Sequence, residues 1–182
     1  NYWMHNGFIS VDNVKMSKSL GNFFTVRDVA NEYGYEPIRY FLISSHYRSP
    51  INYSVDIIEQ CKASLVRLYN CRESLDFAMK NATDVVVENA DEIKAKLNSR
   101  KDQFIAAMDD DLNTADAITA IFELVKDINT TVIADVPNKE LVETATTLFD
   151  ELTGVLGLVY NRKTENLDDE IEKLIEARTQ AR

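Results

Sequence analysis

The sequence predicts a mainly α protein: a short strand and loop, two short helices, then an antiparallel bundle of long amphipathic helices. Three observations predict it. Five glycines and three prolines in 182 residues leave few breakpoints, so long elements dominate. From Ser54 onward, apolar residues recur at steps of three, four or seven. The stretches carrying that period are separated by short polar segments rich in capping residues.

Residues 2–11, aromatic and β-branched with one glycine, predict a short buried strand turning into a polar loop that runs through Asn22. Thr25 caps a helix over "VRDVANEY", with Asp28 at its third position and Gly34 at its end. Glu36 and Pro37 open a second helix that stops near Ser45, because a proline loses nothing in a first turn where its N–H would have no partner. After "HYRSPINYS", Ser54 caps a helix of about 25 residues with Ile58, Cys61, Leu65, Leu68, Leu75 and Met79 on its apolar face. A second bundle helix carries Ile93, Leu97, Phe104, Ile105 and Met108. The third, capped by Asn113 with Asp116 in its first turn, carries Ile118, Ile121, Leu124, Val125 and Ile128. The fourth runs from about Asn138 through Leu141, Ala145, Leu148, Leu152 and Val155. The final "LDDEIEKLIEARTQAR" begins a further helix with Asp168 as its cap.

Charge divides the chain. Residues 1–80 hold 9 Lys and Arg against 8 Asp and Glu, whereas residues 81–182 hold 11 against 22. An acidic half repels a nucleic-acid backbone, so any RNA contact belongs to the near-neutral half or to local basic patches, and indiscriminate nucleic-acid binding is disfavoured. No apolar run approaches the ~20 residues of a membrane span, and the first residues lack the organisation of a signal peptide. Cys61 and Cys71 lie ten residues apart in one expected helix, about 15 Å along its axis and beyond disulfide reach. Reduced thiols of the cytoplasm fit better than a disulfide framework. With no initiator methionine and a Trp-containing apolar opening, the chain reads as a piece of a longer protein.

The chemistry concentrates in "KMSKS", residues 15–19. Lys15 and Lys18 place two ammonium groups on flexible stems, Ser17 and Ser19 add hydroxyls, and Gly21 lets the backbone turn close to a ligand. Such a loop binds anions, phosphate above all, and it accelerates a reaction only where its contacts tighten in the transition state. Charge alone leaves open a solvated Lys/Ser loop, since the Gly-rich pattern of a P-loop is absent.

The string "KMSKSLGN" resembles the second signature motif of class I aminoacyl-tRNA synthetases. "YWMHNGF" before it, with "RYFLISSHYRSPINYS" and "MDDDLNT" after it, resembles the cysteinyl-tRNA synthetase family in order and spacing. The resemblance implies activation of L-cysteine with ATP to cysteinyl-adenylate and transfer to the tRNA for cysteine. Lys18 would contact ATP phosphates and stabilise the leaving pyrophosphate, Lys15 would assist, and Met16 would shape the adenine side. Ser17 and Ser19 would complete the ATP-binding set. It also implies a division into the end of a class I catalytic domain (1–24), a stem-contact segment (25–53), an anticodon-stem-type helical bundle (54–160) and the start of a terminal segment (161–182). Arg27, Arg39 and Arg48 become candidate tRNA contacts, and no DNA partner is expected. The family's first ATP signature and its zinc ligands would lie upstream of Asn1, so no metal site is expected in this chain.

Other residues read more plainly. The two cysteines are expected in the core, and His5 is expected as a hydrogen-bonded structural residue in the strand, with a supporting role at the adenylate pocket kept open. Asp109, Asp110 and Asp111 cannot by themselves surround a cation and are expected at a turn between helices, where they can also orient a nearby arginine. Arg48 and its neighbours His46 and Tyr47 fit local packing and tRNA contact equally. Two rival readings remain: a related cysteine-adenylating ligase acting on an amino-sugar, against which the "HYRSPINYS" set weighs, and a non-enzymatic helical interaction module.

Overall fold

The computed structural model describes residues 1, 3–134 and 136–162; the helix expected from Asp168 lies outside the described residues. The chain begins irregularly and then makes a tight hairpin. Asp12 and Asn13 occupy the left-handed region, φ 48° and 63°, which short polar side chains tolerate and which matches the twist of a two-residue hairpin turn. The turn joins β1 (Ile9–Val11) to β2 (Val14–Lys15), with Ser10 opposite Lys15. β3 (Ile51–Tyr53) lies parallel to β1 on its other edge, giving the order β2-β1-β3.

Two expectations change here. The strand over 2–11 contracts to Ile9–Val11, because Trp3, Met4 and Phe8 are exposed and lie in no strand. The segment through Asn22, expected as loop, contains β2 and one turn of 3-10 helix (Lys18–Leu20). Gly7 makes the sheet possible: its N–H donates to the Tyr47 carbonyl at 2.7 Å, and a Cβ there would fall 2.3 Å from the Ser49 carbonyl oxygen.

Helix α1 (Val26–Tyr33) starts with the reciprocal cap its sequence promises: the Thr25 hydroxyl accepts from the Asp28 N–H at 3.2 Å, and the Asp28 carboxylate accepts from the Thr25 N–H at 2.7 Å. Gly34, at φ +83°, separates it from α2 (Tyr35–Ile43). Val29, Ala30 and Ile38 form a small cluster between the two helices, while Tyr40 and Phe41 reach into the main core.

The main core belongs to α3 (Val55–Lys80), α4 (Ala90–Asp109), α5 (Thr114–Asp127) and α6 (Lys139–Val155), with Ser54, Asn113 and Asn138 capping α3, α5 and α6. A π-helical turn, Ile128–Val132, extends α5. Ion pairs reveal the directions. Lys94 meets Glu140 at 2.5 Å and Lys101 meets Glu151 at 2.7 Å, so α4 and α6 run parallel. Lys96 meets Asp127 at 2.7 Å whereas Arg100 approaches Glu123 at 3.7 Å, so α5 runs against α4. Arg72 meets Asp150 at 2.8 Å and the Tyr69 hydroxyl accepts from the Asn161 N–H, so α3 opposes α6. The result is the expected antiparallel bundle.

Nearly all the expected core residues are buried or half-buried, with two exceptions. Ile105 is exposed, because adjacent positions on a helix are about 100° apart and Phe104 takes the inward one. Val155 is exposed at the end of α6, where Leu156, Leu158 and Val159 close the core instead.

Candidate functional site

Lys15 ends β2, and the chain leaves the sheet through Met16 and Ser17, both half-buried. Asn22 closes the loop that follows: its Oδ1 accepts from the Ser17 N–H at 2.9 Å, and its Nδ2 donates to the Lys15 carbonyl at 3.2 Å. The Ser17 and Ser19 hydroxyls share a hydrogen bond of 2.7 Å. Gly21, at φ +68°, returns its N–H to the Lys18 carbonyl. The backbone is therefore tied at both ends while the Lys15 and Lys18 side chains stand exposed. The Lys18 ammonium lies 5.3 Å from the centre of the Phe23 ring, and among the described residues neither lysine pairs with a carboxylate. Two uncommitted cations on a tethered loop suit an anion whose charge moves.

The neighbouring depression has the opposite character. A groove of about 490 Å³ between the hairpin and α1 is lined by Asp12, Asp28, Glu32 and Asp56 together with Phe24 and Tyr53. Its carboxylates repel phosphate, so anion chemistry belongs to the lysine side of the loop.

The hairpin is held from β3. The Asn52 Oδ1 accepts from the Asn13 N–H at 2.7 Å and from the Ser10 hydroxyl at 3.0 Å. Just before β3, the Tyr47 hydroxyl donates to Asp111 at 2.8 Å, Arg48 Nη2 meets the other Asp111 oxygen at 2.9 Å, and Arg48 Nε donates to the Tyr47 hydroxyl at 3.0 Å. His46 stacks on Tyr47 with its Nε2 3.7 Å from Asp111. The Tyr47 bond and the Asp111 charge raise the Arg48 pKa above its usual value. Asp111 thus orients an arginine, while Asn113 and Asp116 serve the start of α5, their backbone and side chains bonded at 3.2 and 2.8 Å.

The candidate arginines stand on three different segments. Arg27 is exposed in the first turn of α1. Arg39, also exposed, lays its guanidinium on Gly157, where a Cβ would come within 3.0 Å of it. Arg48 faces Asp111. His5 is exposed outside any strand, which corrects its expected place in a buried one. Cys61 and Cys71 are buried in α3, where desolvation pushes their thiols up to about 11 and about 12. No group of three or more metal-ligating side chains occurs among the described residues. No described helix is long and apolar enough to cross a membrane.

Sequence reasoning missed Asn22, Asn52 and Glu36. Asn22 carried a readable signal, an Asx residue beside a glycine at a turn. Glu36 did not: its buried carboxylate accepts from the Tyr69 hydroxyl at 2.7 Å and from the distant Val159 N–H at 2.5 Å.

The family described as tRNA synthetases class I (C) catalytic domain matches residues 1–63, and the DALR domain family matches residues 103–161. The chain is 47% identical over 182 residues to a cysteine-tRNA ligase of Clostridioides difficile and 48% identical to one of Lachnospira eligens. In both comparisons the whole chain aligns, covering 39% and 38% of the relative. The chain therefore spans about two fifths of the length of these relatives. Among solved structures, the Agrobacterium radiobacter K84 LeuRS-tRNA-LeuAMS ternary complex aligns with TM-score 0.65 at 21% identity, over 85% of this chain and 22% of that one, a likeness of fold. A class I catalytic match ahead of a DALR match, with end-to-end identity to curated cysteine-tRNA ligases, supports reading the chain as a cysteinyl-tRNA synthetase fragment.

Proposed function

We propose that this chain is the C-terminal part of a ligase that joins L-cysteine to its tRNA through a cysteinyl-adenylate made from ATP. The observation that carries the reading is the tethered loop whose two lysines pair with no carboxylate among the described residues, lying inside the class I catalytic match and ahead of the helical bundle. In the first step the cysteine carboxylate attacks the α-phosphorus of ATP, the bond to the β-phosphate bridging oxygen breaks, and pyrophosphate leaves carrying the extra negative charge. Lys18, with Lys15, meets that growing charge, and a contact that strengthens as charge develops lowers the barrier. In the second step a ribose hydroxyl of the terminal adenosine attacks the activated carbonyl and AMP departs. Met16, Ser17 and Ser19 belong to the ATP-binding set. Zinc would bind ligands elsewhere in the longer protein, as the family resemblance implies.

Residues 1–24 form the catalytic edge in this reading, 25–53 the stem-contact segment with Arg27, Arg39 and Arg48, 54–160 the anticodon-stem bundle, and 161–182 the start of a terminal segment. The test uses the full-length protein. Lys18→Ala is expected to lower cysteine-dependent pyrophosphate exchange by roughly a hundredfold or more with an unchanged melting temperature, as removing one transition-state charge contact does in other enzymes. Exchange within a few-fold of the parent overturns the role. Charge reversal at the three arginines is expected to weaken tRNA binding at low salt.

A further inference from the structure

We infer that Asp111 is a positioning residue: it holds the segment that carries the signature loop in place against the bundle, and so acts in the step that needs both. The inference rests on the reading above. It starts from the turn between α4 and α5, where Asp111 and Leu112 both lie in the left-handed region, at φ 55° and 56°. For Leu112 in particular that conformation is strained, of the kind that persists only where surrounding contacts determine it. The contact that the turn makes is with the other region. One Asp111 oxygen accepts from the Tyr47 hydroxyl at 2.8 Å and the other meets Arg48 at 2.9 Å, across 64 residues of sequence in the case of Tyr47.

From there a continuous set of bonds reaches the loop. The Tyr47 carbonyl accepts from the Gly7 N–H at 2.7 Å, and the Phe8 carbonyl from the Ile51 N–H at 3.0 Å. β3 then pairs with β1, and Asn52 secures the hairpin turn at Asn13. β2 ends in Lys15, whose carbonyl is held by Asn22. β3 itself stays anchored, since Ile51 and Tyr53 pack against the main core and Ser54 caps α3, so loss of the first link loosens the Gly7 end of the sheet and the hairpin that hangs from it. Arg48 cannot replace Asp111 in this, because its charge needs the carboxylate to define its direction.

The two chemical steps differ in what they demand. Adenylate formation engages the loop and small molecules, whereas transfer requires tRNA held by the bundle to meet the loop-bearing region in register. In the full-length protein, Asp111→Ala is expected to slow single-turnover transfer from preformed adenylate at saturating tRNA about tenfold, while pyrophosphate exchange stays within about threefold of the parent. Asp111→Glu should recover part of the transfer rate. Tyr47→Phe, which keeps the ring and loses one bond, should slow transfer by a smaller factor and supplies a folded variant should Asp111→Ala fail to express.

Transfer at the parent rate in these variants overturns the inference. So does an equal fall in exchange and transfer, which marks damage to the loop itself, and so does a loss confined to tRNA KM, which marks a binding contact. Failure of the functional reading looks different: the parent protein would then show no cysteine-dependent exchange at all.

Discussion

The two parts of the molecule solve the problem of staying folded in different ways. In the bundle, α3 to α6 contribute an apolar face each, and Ile58, Leu68, Leu75, Leu97, Leu124 and Phe149 are fully buried. In residues 1–53 the sheet has strands of three, two and three residues, and Trp3, Met4, Phe8, Leu20 and Phe23 are exposed. What holds that part to the bundle is the packing of α2 on α3 and a few polar clasps: Asp111 on Tyr47 and Arg48, and Glu36 on Val159. The bundle, with α1 and α2 packed beside it, gains its order from apolar area, and the hairpin and loop of residues 7–22 from directional bonds. The difference teaches where flexibility is available. The hairpin and loop, which carry no buried apolar side chain among the described residues, have little apolar burial to overcome when they move.

The sharpest way to break this contrast is to make the same substitution in both parts. Phe149→Ala opens a cavity in the bundle and is expected to cost about 3–5 kcal/mol, whereas Phe8→Ala, at an exposed position, is expected to stay within about 0.5 kcal/mol. Urea denaturation of the chain followed by circular dichroism measures both. Comparable losses at the two positions would refute the division.

A smaller effect separates polar from apolar support inside the bundle. Asp127 is buried on α5, and desolvation works to raise its pKa, but Lys96 Nζ and Arg100 Nε, each at 2.7 Å, overcome that and hold the carboxyl below its usual range. The group is therefore charged at neutral pH, and the stability its partners contribute is present above the unfolded value of about 3.9 and lost as pH falls through the lower folded one. Asp127→Asn is expected to cost about 1–3 kcal/mol at pH 7. Its penalty should shrink in acid, because the parent loses the ion pairs there too. A penalty that is the same at pH 7 and below pH 3 would show that the charge contributes nothing.

The contrast also explains what the sequence made legible. The bundle helices, their caps at Ser54, Asn113 and Asn138, and the reciprocal cap of Thr25 with Asp28 are local patterns, and each stands where its period or spacing puts it. Ile105 shows the resolution of that signal: periodicity finds the helix, but neighbours Phe104 and Ile105 cannot share one face. Strands of two or three residues are too short to display alternation, so β2 and β3 left no readable trace. The signature string located the loop, while the contacts that position it, Asp111 on Arg48 and Asn52 on Asn13, join residues far apart in sequence and have no local signature.

The smallest expected effect lies at the loop, and it tests whether directional bonds there act without adding to global stability. Asn22 offers both an acceptor to the Ser17 N–H and a donor to the Lys15 carbonyl, yet it is only half-buried and both bonds stay within the loop. Asn22→Ala should leave the urea midpoint unchanged within about 0.5 kcal/mol, as a surface substitution does. Locally, a hydrogen bond worth about 0.5–1.5 kcal/mol is lost, so the Ser17 amide should exchange with solvent roughly 2- to 13-fold faster. Hydrogen exchange read by NMR resolves the two quantities separately. Faster exchange across α3 to α6 as well would mean that the loop clamp supports the bundle, and the separation of the two parts would fail. Unchanged exchange at Ser17 would mean that the turn at Gly21, with its N–H returned to Lys18, holds the loop without Asn22.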